Sequence, residues 1–142
     1  MAEFKTVIAD PKNKTTYQKV LSEDKSNALV GKHVGEEIDG KKIVKMEFSL
    51  ANIQEFLEEL KNKKITNLIV CGIETHICIQ QTALDCLQKG FEVILVSDAM
   101  SSRNRVDHEI ALQRMIQKGA ILTTTESIIF ELCKTADRKE FK

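Results

Sequence analysis

Five residues of this 142-residue chain could together do nucleophilic chemistry: Cys78, with Glu74 and His76 close before it, Lys45 upstream and Asp10 near the start. The stretch CGIETHICIQQTALDC, Cys71 to Cys86, follows the apolar run Leu68-Ile69-Val70 and leads into apolar positions at Ile79, Ala83, Cys86 and Leu87. That spacing is one face of a helix. A strand should therefore stop near Gly72, turn through Ile73 to Thr75, and put Cys78 at a helix start. Unpaired N–H groups and a partial positive charge there favour a thiolate, so a cysteine in this place can act as a nucleophile.

The neighbouring groups admit other readings. The pattern His76-x-Cys78 with Glu74 could suggest a metal, but zinc needs three or four converging ligands, and no second cluster with suitable spacing follows. We therefore expect no metal and no cofactor; a glycine-rich phosphate loop is also missing. Cys71, Cys86 and Cys133 read as small apolar fillers. Lys45 would ordinarily be a solvated side chain, yet at a strand end it is the cation that a thiolate and a developing oxyanion need. Asp10, before Pro11, reads first as a turn former and second as a carboxylate at the end of a strand.

The elements that must hold these groups are readable in order. Phe4 to Ala9 is rich in β-formers, Lys14 to Leu21 could pair with it, and Ser22 could cap a short helix over Glu23 to Val30 closed by Gly31. Val34 to Asp39 is a weak strand or loop. The front thus reads as ββα. Lys42 to Glu47 is expected as a brief strand, and Ser49 as the cap of a helix with Ile53, Phe56, Leu57 and Leu60 on one face. After that come a strand at Asn67 to Cys71, a helix from about Thr75 to Lys89 ended by Gly90, and a strand at Phe91 to Ser97. Asn104 with Asp107 starts a helix closed by Gly119, Ala120 to Leu122 is a strand, and Thr123 with Glu126 forms a capping box for a last helix to about Lys134. This alternation predicts an α/β fold with a mainly parallel sheet flanked by helices, and function at the carboxyl ends of its strands.

Composition sets the outer bounds. With 21 basic and 21 acidic residues there is no global field to draw nucleic acid or an anionic membrane. No apolar run approaches the length of a membrane span, and Met1 to Lys5 lacks a signal-peptide core, so the expected location is cytoplasmic. Four scattered cysteines fit a reducing compartment.

From about Lys45 to Lys142 the chain resembles the isochorismatase-like cysteine hydrolases. KMEFS at Lys45 to Ser49, CGIETHICIQQTALDCLQKGFEV, SDAMSSR at Ser97 to Arg103 and GAILTTTES at Gly119 to Ser127 carry the resemblance. It implies a three-layer fold, here truncated, and an Asp, Lys and Cys triad in which the thiol attacks an amide, imide or related carbon. Cys78 matches the nucleophile and Lys45 the lysine. It also implies a cis bond between Ile73 and Glu74, with the backbone amides of Glu74 and Cys78 as the oxyanion hole. The family's opening D-x-Q strand has no counterpart, and the interval from Asp10 to Lys45 is short for it; Asp10 is the available third member.

The front resembles something else. MAEFKTVIADPKNKTTYQK and NALVGKHVGEEIDG resemble the start of a small-subunit ribosomal protein, the sixth in the archaeal and eukaryotic series. The two resemblances together imply one domain over residues 1–142, made of a grafted segment at 1–43 and the rear half of a hydrolase at 44–142. Such a recombined or engineered chain should have little or no native turnover and should self-associate, with exchange of segments between chains, because half a sheet leaves an edge and an apolar face uncovered. The alternative is an active hydrolase of small amides or imides using Cys78, Lys45 and Asp10. A weaker alternative is ribosomal RNA binding by the front, where nine lysines against seven acids over residues 1–45 make a small basic excess, so no nucleic-acid partner is expected.

Overall fold

The computed structural model describes residues 8–9, 43 and 45–137. They build a four-stranded sheet in the order β1-β2-β3-β4, with β1 at Ile8–Ala9, β2 at Asn67–Ile73, β3 at Glu92–Ser101 and β4 at Ile121–Thr123. β2, β3 and β4 are parallel, as alternating strands and helices require. Leu68, Ile69 and Val70 are all fully buried, the continuous apolar run of a strand covered on both faces. The helices are α1 at Gln54–Asn62, α2 at Gln80–Gln88, α3 at Arg105–Gln117 and α4 at Thr125–Cys133. Phe56 and Leu60 of α1, Ala83 and Cys86 of α2, Ala111 and Met115 of α3 and Ile128 of α4 join the strand residues in one core.

Glycine punctuation works as expected. Gly90 (φ 85°) and Gly119 (φ 102°) take the left-handed backbone that ends α2 and α3 before the next strand. Gly72 (φ 118°) does the same inside the end of β2, where the register against β3 jumps: Val70 faces Leu95, but Gly72 faces Met100. A side chain at Gly72 would be strained in that backbone.

Several boundaries differ from expectation. The described residues of the stretch expected as a strand over Lys42 to Glu47 are irregular, and residues 46–48 form a bend. The cause is local: the Lys45 ammonium donates to the carbonyl oxygens of Glu47 (2.8 Å) and Phe48 (2.9 Å), which curls the chain. Ser49 caps as expected, its Oγ accepting from the Ala51 N–H, but it opens a 3-10 turn at Leu50–Asn52 ahead of α1. β3 runs to Ser101, past the expected Ser97. The last cap is Thr124, accepting from the Ser127 N–H, one residue later than the Thr123 and Glu126 box.

The front contributes β1, which pairs antiparallel with β2 through Ile8 opposite Val70 and Ala9 opposite Ile69. It covers the edge of β2 away from β3. The expected second strand, the short helix after Ser22 and the weak strand before Gly40 lie outside the described residues. No helix among the described residues is long and apolar enough to cross a membrane.

Candidate active site

At its carboxyl end β2 passes through a cis peptide bond between Ile73 and Glu74 and enters a π-helical turn at Thr75–Ile79 before α2. The Glu74 carbonyl accepts from the N–H of Ile79 (3.3 Å), and the Thr75 carbonyl from that of Gln80, each a five-residue span. One extra residue per turn widens the coil, a feature frequent at functional sites. Cys78 sits in this turn and is 2 % exposed.

Three consecutive residues tie the turn to the segment that follows β3. The Nε of Arg103 donates to both carboxylate oxygens of Glu74 (2.9 and 3.2 Å). Buried Thr75 shares a hydrogen bond of 2.9 Å between its Oγ1 and Nδ1 of His108 on α3. Ser102 Oγ lies 2.9 Å from Nδ1 of His76 and accepts from the His76 backbone N–H at 3.4 Å. His76 Nε2 then faces two carboxylates, Glu74 at 3.8 Å and Asp107 at 3.9 Å. The carboxylate of Glu74 holds the Arg103 guanidinium still more firmly protonated, chiefly through the hydrogen bond. His76, weighed in the sequence as a metal ligand, is thus one member of a hydrogen-bonded network; among the described residues no group of three or more His, Cys, Asp or Glu side chains is arranged to hold a metal.

The other cysteines are placed differently. Cys71 and Cys86 are buried, Cys133 is half-buried, and none of the four cysteines is in a disulfide. Burial, and secondarily the neighbouring Asp85 carboxylate, pushes the Cys86 thiol up from 9.0 to about 12. It stays protonated and packs as an apolar residue, as its spacing predicts.

Lys45 is half-buried on the bend described above. Its segment reaches α2 through the N–H of Leu50, which donates to Thr82 Oγ1 (3.0 Å). Glu74 and Cys78 share one turn. Asp10 lies outside the described residues. The strand residues just before it, Ile8 and Ala9, run opposite in direction to β2, whose carboxyl end leads to Cys78.

Sequence reasoning missed Thr75, Thr82, Ser102, Arg103 and His108 as contributors. Ser102 and Arg103 belong to the SDAMSSR stretch at the end of β3, and that position beyond a parallel strand was the available signal. Asn104 does occupy the cap position of α3, but its Nδ2 donates to the Asp107 carboxylate (3.0 Å) and its side chain accepts from no backbone N–H of the helix.

The geometry has counterparts in known proteins. The family model described as the isochorismatase domain matches residues 6–127. Isochorismatase family protein 1B of Dictyostelium discoideum is 50% identical over 90 residues, which are 62% of this chain and 44% of that protein. Among solved structures, the MAR1 ribonuclease of Caenorhabditis elegans is 42% identical with a TM-score of 0.63, covering 68% of this chain and 49% of the other. The YcaC protein of Escherichia coli, described as an octameric hydrolase of unknown specificity, is 28% identical with a TM-score of 0.62, covering 65% and 45%. The chain spans about half the length of the relatives it matches.

Proposed function

This chain belongs to the isochorismatase-domain family, and from that premise we propose that it is a cysteine hydrolase of small amides or imides with Cys78 as the nucleophile. One observation carries the reading. Cys78 stands in a widened turn beyond the carboxyl end of a parallel strand, and three neighbouring residues tie that turn to the loop after the next strand and to α3. The sulfur would attack the substrate carbonyl carbon as the thiol proton leaves, and the amides of Glu74 and Cys78 would receive the oxyanion. Collapse would break the C–N bond, release the protonated amine and leave a thioester for water to cleave. Lys45 would supply the cation beside the thiolate. A nearly buried thiol suits a small substrate better than a polymer.

The test is amine release from a panel of small amides and imides. Turnover should be present in the native chain and absent in Cys78→Ala; turnover that survives the substitution would overturn the reading.

A second reading is a recombined chain whose scaffold survives without native turnover, with residues 1–43 contributed by a ribosomal protein. The antiparallel entry of β1 favours it, because β2, β3 and β4 are parallel to one another. No turnover on the panel, with Cys78 unreactive to alkylation, is its expected outcome.

Under either reading we propose self-association and a cytoplasmic location. Among the described residues β4 is an edge strand with Ile121 and Leu122 exposed, and Ile129 and Phe130 of α4 and Val106 and Ile110 of α3 are also exposed. Exposed apolar side chains and a strand edge that no other described strand covers favour association between copies. A monodisperse monomer by light scattering would count against it.

A further inference from the structure

Lys45 and Cys78 come from different parts of the chain, and something must fix one against the other. The Lys45 ammonium is anchored locally, on the carbonyls of Glu47 and Phe48. That bend ends at Ser49, which is buried and caps the 3-10 turn. The next residue, Leu50, points its N–H into the body of the protein, where Thr82 Oγ1 accepts it at 3.0 Å. Leu50 and Thr82 are both fully buried. Thr82 lies on α2, four residues beyond Cys78 and so about one helical turn along the same helical run.

We propose that Thr82 is a positioning residue for the reaction: its hydroxyl is the strut that sets Lys45 against Cys78. This rests on the reading of Cys78 and Lys45 as the reacting pair. The physical case is the difference between the two ends of the strut. α2 grows out of a turn held by buried and network-bonded residues, whereas the Lys45 bend is irregular backbone with Met46 and Phe48 exposed. The buried N–H of Leu50 cannot fall back on water if the hydroxyl is removed. Relaxation would therefore move the bend, carrying the ammonium with it. Displacements near an ångström at a reacting centre cost on the order of a hundredfold in rate.

The experiment compares the full-length chain with Thr82→Val, Thr82→Ser, Lys45→Ala and the Lys45→Ala/Thr82→Val double variant. The readout is the neutral-pH rate of iodoacetamide alkylation at Cys78, resolved from the other thiols by mass spectrometry, with circular dichroism as the folding control. Thr82→Val should slow Cys78 about tenfold or more. Thr82→Ser, which keeps the hydroxyl, should restore the native rate. The double variant should be no slower than Lys45→Ala, since both remove the same cation from the same thiol. If Thr82→Val does not fold, Thr82→Ala takes its place against the serine variant. A native rate in the folded variant lacking the hydroxyl, or a double variant whose losses multiply, would overturn the strut. If Lys45→Ala reacts as the native chain does, the reading of Lys45 fails and the strut with it; if Lys45→Ala is slow and Thr82→Val is not, only the strut fails.

Discussion

The two sides of the candidate site are built on different principles. The Cys78 side is a sheet-end turn whose residues Glu74, Thr75 and His76 each bond to a segment far away in sequence. The Lys45 side is a bend stabilised by its own lysine, with Met46 and Phe48 exposed and one buried hydrogen bond, Leu50 to Thr82, reaching across to α2. The first is preorganised by a packed parallel sheet; the second is irregular backbone that joins the buried interior at Ser49 to Ala51. Precision at a reactive centre comes from rigid elements and their supporting contacts. The Cys78 side should therefore keep its geometry under changes that displace the lysine side.

The largest expected effect tests the strand that leads to Cys78. Leu68→Ala removes a fully buried β2 side chain and should lower unfolding free energy by about 2–5 kcal/mol in urea titration. A loss below about 1 kcal/mol would mean that β2 is not the rigid member of the pair. Next is Thr75→Val, which deprives His108 of its partner. It should cost about 1–3 kcal/mol and slow Cys78 alkylation, whereas unchanged alkylation would show that the tie does not hold the turn.

An alkaline stability profile gives a third, graded test. Folding raises the Cys86 value from 9.0 to about 12, so the folded state favours the protonated thiol. Its contribution is complete below about pH 9 and is lost as pH rises toward about 12, with a slope limited to ~1.4 kcal/mol per pH unit. Cys86→Ala should flatten that limb; an unchanged limb would assign it to other groups. The smallest effect belongs to the lysine side. Phe48→Ser should shift stability by no more than about 0.5 kcal/mol, because the ring is already exposed. A larger loss, seen in the same urea titration, would show that the bend is packed more firmly than its exposure indicates.

Much of this molecule was legible from residue order. The core face of α1 followed from Phe56 and Leu60 with Ile53 and Leu57, and the buried centre of β2 from Leu68 to Val70. Gly90 and Gly119 marked the ends of α2 and α3 because a left-handed residue is what a helix stop there uses. Two errors had local causes that pattern cannot weigh. The Lys45 segment has the composition of a strand, but its ammonium captures the carbonyls that a strand would present to a neighbour. Thr123 and Thr124 are adjacent candidates for one cap, and Ser127, aligned with the second, decided it.

The sequence by itself determined the alternation of strand and helix, the parallel sheet it requires, and the position of Cys78 beyond the end of β2. Those features rest on periodicity and punctuation, which act over a few residues. The tertiary structure decided the pairings Glu74 with Arg103, Thr75 with His108 and Leu50 with Thr82, whose partners are separated by 29, 33 and 32 positions. It also decided the direction of β1, because side-chain alternation along a strand reads the same from either end. Contacts of that range depend on which elements become neighbours, and that is settled only when the shared core closes around them.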